Sequence, residues 1–110
     1  MSQDNGPTSG QQRHAEEAFQ AASTQGELPA IDFATFVLSL AHSARVHLGD
    51  APNPADGETT VELGMARQTI DLLTMLEEKT NGNLDGDEER LLGQALYDLR
   101  MRFVEVSKNP

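Results

Sequence analysis

A loop in the second half of the chain carries the residue types of a calcium site. In the segment NGNLDGDEERLL, Asn81, Asn83 and Asp85 stand at positions 1, 3 and 5 of a calcium-binding pattern, and Gly86 stands at position 6. Position 12 is Leu92, where the pattern needs a bidentate glutamate, and position 1 is usually an aspartate. A helix end followed by a capped helix start accounts for the same residues. We therefore predict no calcium site in this loop.

The histidines are the other candidates for chemistry. His42 and His47 are five residues apart, so they do not share a helix face as two metal ligands four residues apart would. Ser43 and His47 do share a face, with Asp50 close by, but a hydrolytic triad draws its residues from different elements and needs an oxyanion hole. The chain has no cysteine and no glycine-rich phosphate-binding loop. The sequence thus predicts a protein that is not an enzyme and holds no metal or cofactor.

The charge of the chain argues against two classes of partner. Asp and Glu number 18 and Lys and Arg number 8, which gives a net charge of −10, and no segment contains a basic cluster. Nucleic acids and anionic membranes both require clustered Lys and Arg, so neither is an expected partner. No signal peptide is visible, and no apolar run reaches the roughly 20 residues of a membrane span, so we expect a cytoplasmic protein.

The apolar segment IDFATFVLSLAHSARVHLG predicts the first of three helices. This helix is expected over residues 33–48, with Asp32 as its N-cap and Gly49 at its end. Its main apolar stripe consists of Phe33, Phe36, Val37, Leu40, Ala41, Ala44 and Leu48. Further apolar residues lie on the opposite side, so a single bundle cannot cover them all. We therefore expect a homodimer, whose interface lies on the side of this helix away from its main apolar stripe and includes Leu38, His42 and Val46.

Two further helices complete the predicted fold. The second is expected to begin at a capping box over Thr59–Glu62 and to end at Asn81 and Gly82. The third is expected to begin at Asp85, with Glu88 at capping-box spacing. A short link makes these two helices antiparallel neighbours. The predicted fold over residues 31–108 is an all-α, three-helix antiparallel bundle.

A minor stripe on the third helix is the predicted site for a protein partner. It lies away from the main apolar stripe and combines an aromatic residue, a thioether and an arginine, which interfaces favour. Its members are Tyr97, Arg100, Met101 and Val104. The alternative is that this stripe closes the homodimer.

Residues 1–30 are predicted to be a disordered, polar tail. They are rich in Gln, Ser, Gly, Thr and Asn, and such a composition buries too little apolar surface to offset the entropy of ordering. The alternative for Gln11–Ala22 is a transient helix that offers Phe19 to a partner.

The helical region resembles a bacterial family of unknown function, the DUF1844 proteins. The matching segments are IDFATFVLSLAHSARVHLG, ARQTIDLLTMLEEKTNGNL and EERLLGQALYDLRMRFVEV, which cover about two thirds of the chain. They include the helix-surface residues Gln68, Thr69 and Asp71. The resemblance implies a small cytoplasmic helical protein and transfers no catalytic residue.

The expected function is that of a non-enzymatic interaction module whose partners are a second copy of itself and an unidentified protein. The resemblance implies an alternative. The family is associated with a myxobacterial motility regulator that works with a response-regulator partner to promote nucleotide exchange on a Ras-like GTPase. An adaptor or exchange regulator of a small GTPase is therefore the second hypothesis.

Overall fold

The computed structural model describes residues 8–23 and 30–108, and this part of the chain contains four helices and no strand. The helices are α1 (Ser9–Ser23), α2 (Phe33–His47), α3 (Leu63–Thr80) and α4 (Gly86–Lys108). The prediction of an all-α fold is confirmed. The predicted number of three helices is wrong, because part of the N-terminal segment is helical as well.

Helix α1 covers residues for which we predicted a disordered tail, with a transient helix over Gln11–Ala22 as the alternative. Its start is a capping box: the backbone N–H of Gln11 donates to Oγ1 of Thr8 at 3.2 Å, and the N–H of Thr8 donates to Oε1 of Gln11 at 2.8 Å. The Ala, Glu and Gln residues that follow favour a helix. The prediction for residues 1–7 and 24–29 lies outside the described residues. The chain divides into two units between Ala30 and Ile31, and α1 is described by itself.

Acidic side chains cap the starts of α2 and α4 as predicted. Oδ1 of Asp32 accepts the N–H of Thr35 at 2.8 Å, and this bond lowers the pKa of Asp32 below its ordinary value. At the start of α4, the N–H of Glu88 donates to Oδ1 of Asp85 at 2.8 Å, and the N–H of Asp85 donates to Oε1 of Glu88 at 3.0 Å. Both helices therefore begin with backbone donors that side chains satisfy.

Gly49 ends α2 in a Schellman motif. Its φ is +85°, a left-handed conformation that glycine adopts without strain. The N–H of Asp50 donates to the carbonyl of Arg45 at 2.9 Å, and the N–H of Gly49 donates to that of Val46 at 3.1 Å. The chain turns sharply at this point and leads into the loop before α3.

The predicted capping box at the start of α3 is wrong. The helix begins at Leu63, and Glu62, its N-cap, makes no side-chain capping bond. The backbone N–H of Glu62 instead donates to the carbonyl of His47 at 2.7 Å. Thr59–Glu62 therefore runs as non-helical chain beside the end of α2, because this tertiary bond uses a backbone group that a capping box would need.

Helices α2, α3 and α4 form a bundle in which each contacts the other two. The bond between His47 and Glu62 places the end of α2 beside the start of α3, and a short loop joins α3 to α4. Consecutive helices therefore run antiparallel. The core consists of side chains that are at least nine-tenths buried: Val37, Ala41, Ala44, Leu48, Ala66, Ile70, Leu73, Leu92, Ala95, Leu96 and Leu99.

Candidate functional site

The four predicted partner-binding residues lie together on one exposed flank of α4, which we call the α4 patch. Tyr97, Met101 and Val104 follow at spacings of four and three residues, so they form one row along the helix. The Tyr97 side chain is 62% exposed, and those of Met101 and Val104 are about half exposed. Arg100 lies beside this row, nearer to α3. The row is uncovered apolar surface on a helix whose opposite side is in the core.

Arg100 is held in place by a hydrogen bond to the neighbouring helix. Its Nη2 donates to Oγ1 of Thr74 on α3 at 2.8 Å. The bond orients the guanidinium along the rim of a groove between α3 and α4. A guanidinium held in this way keeps further N–H donors for a ligand and loses less side-chain entropy on binding.

The groove between α3 and α4 continues the α4 patch towards the bundle core. It encloses about 350 Å³. Ile70 and Phe103 lie at its base, and Val104 belongs both to the groove and to the exposed row. Arg67 and Asp71 form an ion pair at its rim, with Nε 3.3 Å from Oδ1. The groove thus offers an apolar base with polar and charged edges, an arrangement that suits an amphipathic partner segment.

The predicted oligomer residues lie on the outer side of α2. Leu38 is 53% exposed, His42 is exposed, and Val46 is partly buried. They follow one another four residues apart and so form a single row. Their assignment to an interface stays a prediction.

A second exposed apolar surface lies along α2 and α3. It includes Phe36 and Leu40, which helical periodicity assigned to the main apolar stripe of α2. Phe36 is 39% exposed, whereas Val37 beside it is fully buried. On α3, Met65 and Leu72 are also exposed. The sequence pattern predicts a second apolar face on this helix, formed by Met65, Leu72, Met75 and Leu76. We call the surface formed by Phe36, Leu40, Met65, Leu72 and Leu76 the α2–α3 face.

The loop with a calcium-like pattern is used for helix termination and capping. Gly82 has φ +88°, and the N–H of Asn83 donates to the carbonyl of Thr80 at 2.9 Å. The carboxylate of Asp85 caps α4. Within the described residues, no three side chains of His, Cys, Asp or Glu are grouped to hold a metal ion. The carboxylate of Asp85 and the backbone N–H of Asn83 stabilise the turn between the two helices.

Comparison with known proteins identifies one family. The family model described as "Domain of unknown function (DUF1844)" matches residues 30–105. This range contains all of α2 and α3, most of α4 and the whole α4 patch. No curated protein and no solved structure matches the chain. In the described part of the chain, no helix is both long and apolar enough to cross a membrane.

Proposed function

This chain belongs to the DUF1844 family, and we propose that it acts as a non-enzymatic module that binds a protein partner through the α4 patch. The observation that carries the proposal is the exposed row of Tyr97, Met101 and Val104 beside a fixed Arg100. Contiguous apolar surface of this kind on a soluble protein usually marks an interface.

The residue types in the α4 patch support a protein ligand. Tyrosine and arginine are enriched among residues that dominate binding energies, and methionine adapts its shape to a partner. The phenol ring of Tyr97 projects where a partner can bury it, while the base of the groove gives a partner side chain a place to insert. We propose that Tyr97 and Arg100 contribute most of the affinity.

The proposal is tested with a paired substitution and a matched control. Tyr97→Ala with Arg100→Ala should abolish co-purification of the partner with the tagged full-length chain from its native lysate. Helicity and mass in solution should stay unchanged, because the replaced side chains lie outside the core. Arg90→Ala removes another exposed arginine of α4, which pairs with Asp87, and should leave co-purification intact. If the doubly substituted chain retains its partner, or if its mass falls, the partner-site proposal is wrong.

We further propose that the module works in the bacterial cytoplasm, as the family resemblance implies. The alternative role as an adaptor or exchange regulator of a small GTPase rests on that resemblance and stays a prediction. Its test is release of labelled nucleotide from a Ras-like GTPase on addition of the purified chain, alone and with a response-regulator protein. An unchanged release rate in both cases would contradict it.

A further inference from the structure

The α2–α3 face is a continuous surface formed by two helices. On α3, Arg67, Asp71 and Thr74 line the groove beside α4, so Met65 and Leu72 lie on the other flank, next to α2. On α4, Arg100 reaches towards α3 and Arg102 towards α2. Because the helices are right-handed, this arrangement puts Phe36 on the flank of α2 next to α3. Leu38 is about 160° away around the helix axis and lies on the flank of α2 next to α4.

The pairing of α2 with α3 brings the exposed side chains to matching heights. The N–H of Glu62 bonds to the carbonyl of His47, which fixes the antiparallel register at one end. Counting eleven residues back from His47 reaches Phe36, and eleven forward from Glu62 reaches Leu73, so Phe36 lies within about one residue of the level of Leu72. Leu40 and Leu76 are half-buried between the exposed residues and the core, so they connect the two rows.

Between Phe36 and His47 on α2, and between Met65 and Leu76 on the flank of α3 next to α2, the α2–α3 face carries no acidic side chain, although the chain has 18 Asp and Glu residues. Helix α2 contains no Asp or Glu from Phe33 to His47. On α3, Asp71 lies in the groove beside α4, and Glu77 and Glu78 lie in the last turn. Ser43 and Thr69, which lie beside these rows, are uncharged. Asp32, four residues before Phe36, and Lys79, seven residues after Leu72, lie at one end of the face and carry opposite charges.

We propose that this chain forms a homodimer in which the α2–α3 face of one copy packs on the same face of the other. Each copy has a net charge of −10, so any contact between acid-bearing surfaces would add repulsion between like charges. The α2–α3 face avoids this cost and buries apolar side chains from both copies. A self-complementary patch of this kind satisfies the two-fold symmetry of most homodimers.

The proposal differs from the interface predicted at Leu38, His42 and Val46, and it is independent of the α4 patch. A homodimer through the α2–α3 face leaves Tyr97 and Arg100 accessible on the flank of α4 next to α3. Loss of partner binding and loss of the dimer are therefore separate observations. Failure of one proposal leaves the other standing.

Sedimentation equilibrium of the full chain tests the proposal through three variants with one exposed apolar residue replaced by glutamate. The unsubstituted chain at tens of micromolar should have the mass of a dimer. Leu72→Glu should raise the dissociation constant by more than roughly tenfold, because the new charge would be buried in the contact. Leu38→Glu and Tyr97→Glu are matched controls, since those side chains are at least as exposed, and both should retain the dimer mass.

Two further measurements keep each outcome decisive. Circular dichroism confirms that Leu72→Glu is as helical as the unsubstituted chain. If it is not, Leu72→Ser, which removes the apolar side chain without adding a charge, replaces it and should also dissociate the dimer. A monomeric unsubstituted chain overturns the proposal. So does a Leu72 variant that keeps the dimer mass, or dissociation caused by Leu38→Glu or Tyr97→Glu instead.

Discussion

Arg102 and Asp50 lie 52 residues apart in sequence and join α4 to the end of α2 through a bidentate ion pair. Nη2 of Arg102 is 2.8 Å from Oδ1 of Asp50, and Nε is 2.9 Å from Oδ2. The hydrogen bonds and the charge of Asp50 raise the pKa of Arg102 above its ordinary value. Asp50 also donates its backbone N–H in the Schellman motif of α2. The pair therefore links a helix-ending turn to the third helix of the bundle.

Replacing Arg102 with lysine should lower the melting temperature by a few degrees. A lysine ammonium keeps the charge but cannot make two parallel hydrogen bonds to one carboxylate. Arg90→Lys is the control, because Arg90 pairs with Asp87 three residues away on the same helix at an almost fully exposed site. That pair should contribute little. Equal shifts in the two variants, measured by thermal circular dichroism, would contradict a special role for the link between Arg102 and Asp50.

Gly49→Ala should destabilise the bundle more than Gly82→Ala. Both glycines have positive φ, so each alanine adds roughly 1–2 kcal/mol of backbone strain. A Cβ at Gly49 would also lie 2.8 Å from Cγ2 of Val61, whereas nothing lies within 4 Å at Gly82. Urea unfolding should show the difference, and Val61→Ala in the Gly49→Ala background should recover that excess. If the second substitution restores nothing, the contact with Val61 is not the cause.

Helix boundaries could be predicted wherever the signal was local. Asp32 and the pair of Asp85 and Glu88 specify helix starts within one turn of chain, and Gly49 specifies an end. Helix α2 begins as predicted and ends one residue early, and α4 begins one residue after Asp85, whose carboxylate caps it. The start of α3 depends on the bond from Glu62 to His47, which no local pattern contains. The start of α1 did carry a local signal, Thr8 with a glutamine three residues later, but the polar composition around it favoured a disordered segment.

The candidate surfaces were only partly predictable. Helical periodicity separated Tyr97 and Met101 from the core stripe, and both are exposed. The same periodicity assigned Phe36 to the buried stripe. The angular position of a residue around its own helix does not show how much of that helix the neighbouring helices cover. The contact between Arg100 and Thr74 also required the structure, since it depends on how α3 and α4 pack across 26 residues of sequence.

Leu96→Ala and Met101→Ala should have very different effects on stability although both residues lie on α4. Leu96 is 1% exposed and belongs to the core, so its truncation leaves a cavity and should cost about 2–5 kcal/mol. Met101 lies in the α4 patch, and its truncation should stay within about 0.5 kcal/mol when no partner is bound. Urea unfolding of the two variants provides the comparison. A cost at Met101 close to that at Leu96 would mean that this side chain is covered in the free protein.

The capping bond of Asp32 should make the stability of α2 depend on pH. Because the pKa of Asp32 is lowered in the folded chain, the unfolded chain binds the proton more readily. The stabilisation is therefore fully present above the unfolded pKa, at about pH 5 and higher, and is lost as the pH falls through the folded pKa. Asp32→Ala should destabilise the chain at pH 7 and progressively less on acidification.

Asp32→Asn retains a capping oxygen that does not titrate, so it should cost less than alanine at pH 7. Urea unfolding of the three proteins between pH 7 and pH 3 measures both effects, and a cost of Asp32→Ala that stays constant over this range would show that the carboxylate charge does not stabilise the cap.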